Sequence, residues 1–178
     1  MKAKPADETY LFSNQDLKRL ILPLLVEQLL AITVGMADSI MVSSVGEAAV
    51  SGVSLVDTIF VLLINIFTAL ATGGAVVCGQ YLGKKRPEQA CQAADQLVLA
   101  TGILSILVMG LMYVLRTFIL NVVFGHIEPD VWNNCNIYFL IVSASIPFIS
   151  IYNAGAAIFR AQGDSKTPMK ISLLMNVI

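Results

Sequence analysis

The stretch that decides the fold is Leu20–Val45, which reads LILPLLVEQLLAITVGMADSIMVSSV. About 20 apolar residues are enough to cross the core of a bilayer as one helix. This stretch also contains Glu27, Gln28 and Asp38. A carboxylate at membrane depth costs about 2.5–3.5 kcal/mol on insertion scales, so it normally faces a protein interior or a water-filled cavity. Glu27 and Asp38 are about three helical turns apart, on one side of the helix and roughly 16 Å from each other. We interpret this helix as the wall of a pathway.

The composition indicates an all-α, polytopic membrane protein. Hydrophobic residues make up 57% of the 178 residues, charged residues 13%, and the mean hydropathy is +0.78. These values are typical of a chain whose main partner is the lipid bilayer. The sequence contains no strongly basic tract, which argues against nucleic acid as a partner. Its three cysteines (Cys78, Cys91 and Cys135) form no metal-binding motif, and we interpret them as free thiols.

Hydropathy and turn signals divide the chain into a polar N-terminal tail and a membrane domain. The tail covers residues 1–16, and the membrane domain covers 17–178. The predicted helices are 17–45, 54–82, 95–115 and 131–159, with the start of a fifth at 169–178. Gly46 and Gly52 bracket the first loop, Ser54 and Asp57 form a helix-start signal, and Thr167 caps the fifth helix. Asp57 is therefore predicted to be an acid of a first helical turn, outside membrane depth.

The basic residues predict the orientation. Nearly all of them flank the spans on one side of the membrane: Lys2, Lys4, Lys18, Arg19, Lys84, Lys85, Arg86, Arg160, Lys166 and Lys170. Only Arg116 falls on the other side. Because basic loops remain in the cytoplasm, we expect a multi-pass protein of the inner (plasma) membrane with a cytoplasmic N-terminus.

Three motifs carry a resemblance to a known family. The segment from Pro23 to Gly46, with Gly35-Met-Ala-Asp38-Ser-Ile-Met-Val inside it, resembles the first helix of the multidrug and toxic compound extrusion (MATE) transporters. Gln80–Gly83 is similar to the segment that closes the family's second helix. Phe159–Pro168 is similar to its loop between helices four and five. The match covers almost the whole chain in order.

The resemblance implies a fold of twelve helices in two six-helix lobes, of which this chain would be the N-terminal part, within one lobe. It also implies an antiporter that exports organic or cationic drugs and toxic solutes in exchange for Na⁺ or H⁺, with no other cofactor. The family's cation site uses an acid on helix one, which Asp38 matches, and an Asn and an Asp on helix five. Those two residues would follow Asn176, so we expect either a fragment or an incomplete record.

Several residues keep two interpretations. Asp38 is either an interfacial carboxylate or the site of proton or Na⁺ coupling, and the resemblance favours the second. Glu27, Gln28, Asn65 and Asn153 are candidates for a cavity or substrate pathway. Alternatively, Glu27 is a buried acid that is held neutral or is bonded to Gln or Asn on a packed neighbouring helix, and the asparagines join helices by hydrogen bonds.

Two further expectations concern the bends and the polar loop. Pro23 and Pro147 are candidate hinges, although membrane helices tolerate proline widely. Arg160 and Asp164 are expected to form a solvated pair in the loop after the fourth helix, and a cytoplasmic gate is the alternative.

Three functional hypotheses follow. The first is cation-coupled antiport, as the resemblance implies. The second is a lipid-linked oligosaccharide flippase or exporter of related architecture, which would need a cavity lined with several basic residues. The third is a non-transporting membrane fragment. Motifs for hydrolases, metalloproteases and nucleotide-binding loops are absent from the sequence, so we predict no catalytic residues and no enzyme activity.

Overall fold

Five α-helices and one π-helical turn form the part of the chain that the computed structural model describes, residues 14–123 and 129–177. The helices are α1 (Asn14–Ser43), α2 (Glu47–Gly83), α3 (Pro87–Phe118), α4 (Pro129–Ala161) and α5 (Lys166–Val177), and the π-helical turn Ile119–Val123 extends α3. The predicted all-α fold is confirmed. Most of the predicted tail and part of the third connection lie outside the described residues.

Four of the helices are long and apolar enough to cross a membrane. Their candidate spans are Leu17–Ser43, Glu47–Gly83, Pro87–Val122 and Val131–Ala161. Helix α5 has 12 described residues, fewer than the roughly 20 that a crossing needs. Since a helix satisfies its own backbone hydrogen bonds, each of the four segments can enter lipid as a unit.

Helix α2 begins earlier than the sequence signals indicate. It starts at Glu47 rather than at residue 54, directly after Gly46, whose φ of 132° is a conformation that only glycine adopts readily. Ser54 and Asp57 therefore lie inside the helix, and their predicted role as a helix start is wrong. Gly52, expected in the loop, is buried in α2, where an added Cβ would lie 3.2 Å from the backbone nitrogen of Cys135.

The starts of α3 and α5 also differ from the sequence interpretation. Helix α3 is continuous from Pro87, which occupies its first turn, and not only from residue 95. Helix α5 begins at Lys166, and Asp164 caps it by accepting hydrogen bonds from the backbone N–H groups of Lys166 and Thr167 at 3.0 and 3.2 Å. Thr167 lies within the helix and donates its hydroxyl to the other oxygen of Asp164 at 2.6 Å, so it is not the cap.

Helices α2 and α4 form the centre of the bundle. Their main cluster contains Val56, Phe60 and Phe139, and the two aromatic rings meet edge to face with centroids 5.6 Å apart. Gly52 allows the backbones to approach closely enough for Cys135 Sγ to donate to the Gly52 carbonyl oxygen at 3.4 Å.

Helix α3 completes this core through a second cluster of mostly small residues: Ala71, Ala75, Leu97, Ala154 and Ala157. At Gly74 of α2 the Leu97 side chain lies so close that an added Cβ would overlap Leu97 Cδ1 and lie 2.8 Å from Cδ2. Small residues at a helix interface let the two backbones approach closely, which is a usual way for helices to pack in membranes.

Helix α1 is packed least. Most of its residues after Glu27 are exposed, including Met36 at 63% and Ile40 at 68%, whereas Val34 and Val42 are half-buried. Its C-terminal half is separated from α2 and α4 by a cavity, and this cavity contains the residues described next.

Candidate functional site

The cavity that α1, α2 and α4 enclose has a volume of about 410 Å³. Two acids line it, Asp38 from α1 and Asp57 from α2. Hydroxyl groups from the three helices add polar atoms, and aliphatic side chains and Gly35 complete the wall: Ser39, Ser54, Tyr138, Met41, Val42, Val50 and Val53. The cavity is therefore a chamber with aliphatic walls and a small set of oxygen-bearing side chains.

Tyr138 fixes the position of Asp57. Its hydroxyl donates to Asp57 Oδ1 at 2.8 Å, so the phenol of α4 is tied to the acid of α2. Asp57 lies ten residues into α2, roughly 15 Å from the start of the helix, because α2 begins at Glu47. The sequence interpretation missed both residues. The signal that was available is the apolar run on both sides of Asp57, which is typical of a functional acid.

Asp38 is exposed on the cavity side of α1 and is not matched by a basic group in the cavity lining. The carboxylates of Asp38 and Asp57 and the hydroxyls of Tyr138 and Ser39 line the same cavity, and oxygen is the ligand type that alkali and alkaline-earth cations prefer. The same carboxylates can instead take a proton. No group of three or more His, Cys, Asp or Glu residues that could hold a metal ion occurs among the described residues.

A second polar cluster lies between the N-terminal half of α1 and the C-terminal end of α4. Arg160 Nη2 donates to both Oε1 and Oε2 of Glu27 at 2.8 Å. The Tyr152 hydroxyl donates to Glu27 Oε1 at 3.1 Å and lies 3.4 Å from the carbonyl oxygen of Pro168 in α5. Arg160 therefore pairs with Glu27, and its expected loop pair with Asp164 is wrong. Glu27 does not line the cavity of Asp38.

The structure places the other candidate residues outside that cavity. Gln28 and Asn65 are exposed on α1 and α2. Asn153 is half-buried, and its Nδ2 donates to Thr68 Oγ1 at 3.4 Å, which joins α4 to α2. Pro23 and Pro147 lie inside α1 and α4, which continue through them as single helices. Their role as hinges stays a prediction.

These features define a class: a polytopic helical membrane protein with an acid-lined chamber between its first, second and fourth helices. The MatE family model matches residues 23–178. The chain belongs to the MatE family.

Curated relatives and a solved structure agree with this assignment. The chain is 27% identical over 98% of its length to an uncharacterized transporter, YisQ, of Bacillus subtilis, and 25% identical over 93% to a probable multidrug resistance protein, NorM, of Thermotoga maritima. It covers 37% and 35% of those two proteins, so it spans little more than a third of their length.

One solved structure with a similar fold is that of a MOP superfamily transporter from Pyrococcus furiosus. The two structures align with a TM-score of 0.84 and 20% sequence identity, over 92% of this chain and 36% of that one. At this identity the comparison shows the shared fold of the helical bundle.

Proposed function

We propose that the transporter to which this chain belongs is a secondary active antiporter, which exports organic or cationic solutes in exchange for Na⁺ or H⁺. The observation that carries the proposal is the chamber of about 410 Å³ with Asp38 and Asp57 on its wall. An apolar chamber with a few charged oxygen atoms suits an amphiphilic cation. The relative named a probable multidrug resistance protein is consistent with such a substrate.

Asp38 is the coupling group in this proposal. Two carboxylates that face one chamber repel each other, and a proton or a Na⁺ ion on one of them relieves that repulsion. Asp57 already accepts a hydrogen bond from Tyr138, so one of its carboxylate oxygens is engaged. Asp38 is then the acid that changes state, and it lies in the half of α1 whose residues are mostly exposed.

Coupling follows from linkage between the two ligands. If the ion and the organic cation both need Asp38, binding of one lowers the affinity for the other by the same factor in both directions. The neutral and ionised forms of Asp38 favour different positions of α1, and each ligand shifts the population toward the position that it binds.

A lipid-linked oligosaccharide would need a different lining. Its pyrophosphate requires free basic groups, whereas the lining of the chamber is acidic and Arg160 is paired with Glu27 outside it. The observations therefore favour the antiport proposal over the flippase hypothesis. The transporter is proposed to lie in the inner membrane with its N-terminus in the cytoplasm, in line with the distribution of basic loops.

The test is substrate efflux from proteoliposomes containing the transporter, driven by an imposed Na⁺ or H⁺ gradient. Asp38→Asn should abolish gradient-driven efflux because the amide neither ionises nor exchanges the ion. Asp95→Asn, an exposed acid of α3 that does not line the chamber, is the matched control and should behave as wild type. Wild-type efflux and ion dependence in Asp38→Asn would refute the proposal.

A further inference from the structure

The two halves of α1 are held in very different ways. In the N-terminal half, Glu27 is 15% exposed and is bonded by Arg160 and Tyr152. We call these three residues the α1 anchor. Pro23, one turn before Glu27, is buried, and α1 also packs against α5 in the bundle. The anchor therefore ties α1 to α4, and through the Tyr152 contact with Pro168 it reaches α5.

Within the described part of the chain, the half of α1 that follows Glu27 has no comparable ion pair to another helix. Its hydroxyl side chains are bonded within α1, as Thr33 is to the Leu29 carbonyl and Ser39 to the Gly35 carbonyl. The acid-lined chamber lies between this half and the α2–α4 core. Glu27–Arg160 is the one ion pair among the described residues, so electrostatic attachment of α1 is concentrated at the anchor.

Helix geometry connects the anchor to the coupling acid. Eleven residues advance an α-helix by about three turns, so Glu27 and Asp38 face nearly the same direction. Holding Glu27 against α4 therefore also directs Asp38 toward the chamber. Tyr152 precedes Arg160 by about two turns, roughly 12 Å, so their two long side chains reach Glu27 from opposite directions along α4. This bracket restricts both rotation and sliding of α1.

We propose that Arg160 and Tyr152 are positioning residues: acting through Glu27, they form a fixed pivot of α1, and ion exchange moves only the half of the helix that carries Asp38. The inference rests on the proposed function, since it takes Asp38 as the coupling acid. Separating a charged pair within a membrane leaves both charges uncompensated, whereas loosely packed apolar contacts with the chamber wall exchange readily. Movement therefore occurs beyond the anchor.

Distances between spin labels on α1 and α4 test the pivot directly in the reconstituted transporter. The inner pair, Leu22 with Phe159, lies near the anchor, and the outer pair, Ile40 with Ile137, lies near the chamber; all four side chains are exposed. We expect the outer distance to change between saturating and absent coupling ion, and the inner distance to stay constant. In Arg160→Met the distribution of the inner distance should become broader than in the wild type. An inner distance that follows the ion in wild type would overturn the proposal.

Ion dependence of efflux supplies the second readout. Arg160→Met should shift the half-maximal ion concentration by about 5-fold or more, the lower end of usual coupling between sites. The double variant that exchanges the charges, Glu27→Arg with Arg160→Glu, should restore the wild-type half-maximal ion concentration. Such a recovery would not occur if the single variant had merely failed to fold. Tyr152→Phe removes one hydrogen bond to Glu27, so it should shift the half-maximal ion concentration in the same direction as Arg160→Met but by a smaller factor. The control is Arg116→Met, since Arg116 forms no ion pair with any described residue.

The outcomes separate the two proposals. If Arg160→Met and Tyr152→Phe leave the ion dependence and the inner distance unchanged, the pivot is refuted while antiport through Asp38 stands. If Asp38→Asn exchanges ions normally, the coupling proposal fails, and the inner distance in Arg160→Met still decides whether the anchor holds α1.

Discussion

Replacing Gly74 by alanine tests the contact between α2 and α3 on which the bundle depends. The new Cβ would overlap Leu97 Cδ1 and lie 2.8 Å from Cδ2 and 3.0 Å from Cγ. Leu97 is itself buried among Ala71, Ala75 and Ala154, so its side chain has little room to turn. Overpacking of this kind costs about 1–3 kcal/mol. The higher helix propensity of alanine also stabilises α2 by about 1 kcal/mol relative to glycine. A control variant must account for this gain.

Gly73→Ala is the control variant that accounts for the gain in helix propensity. Gly73 is the neighbouring residue of the same helix, and an added Cβ there meets nothing within 4 Å. Both variants gain the same helix propensity, so the difference between them reports the overlap with Leu97. We expect Gly74→Ala to be less stable than Gly73→Ala by about 2 kcal/mol, roughly a 30-fold smaller ratio of folded to unfolded protein.

The assay is equilibrium unfolding of the transporter in mixed micelles, with helix content as the signal. The double variant Gly74→Ala with Leu97→Val removes one methylene where it adds one methyl, and it should recover most of the loss. Equal stability of the two glycine variants would show that Leu97 does not pack on Gly74, and the arrangement of α3 against α2 would then be wrong.

Three further predictions concern the connections. With Cys78, Cys91 and Cys135 replaced, a cysteine at Glu47 should react with an impermeant reagent added outside cells and a cysteine at Lys85 should not; the reverse result would invert the proposed orientation. Gly46→Ala should destabilise the turn before α2, because its φ of 132° is strained for any residue with a Cβ, and unchanged thermal stability would contradict this. Hydrogen bonds from Thr167 lower the pKa of Asp164 from its usual value of 3.8. The cap of α5 is therefore fully stabilising above that value and is lost as the pH falls through the lowered pKa. Hydrogen exchange of α5 should rise on acidification in wild type, and an equal rise in Asp164→Asn would refute the assignment.

Sequence reasoning was accurate for features that depend on one segment at a time. Four apolar runs predicted four helices long enough to span a membrane, because a segment in lipid must satisfy its backbone hydrogen bonds internally. The motifs around Asp38, Gly83 and Pro168 predicted the MATE family, and the MatE family model, which matches residues 23–178, confirms that family. Helix starts were less accurate: the Ser54–Asp57 signal also occurs within a helix, and the true start was set by the backbone of Gly46.

The candidate site was only partly readable from the sequence. Asp38 was identified because it interrupts an apolar run, and the same reasoning was not applied to Asp57 once it had been placed at a helix start. The carboxylate of Glu27 was recognised as needing a partner, but the expected partners were neutral amides. The structure supplies a cation and a phenol instead.

The sequence by itself determined the class of fold, the spans and the family, because apolar length and short motifs act within one helix. The tertiary structure alone decided which polar groups meet. Tyr138 and Asp57 are 81 residues apart in the chain, and Arg160 and Glu27 are 133 apart. Their pairing depends on how the helices are rotated and how closely glycine and alanine allow α2, α3 and α4 to approach, and no single segment encodes that geometry.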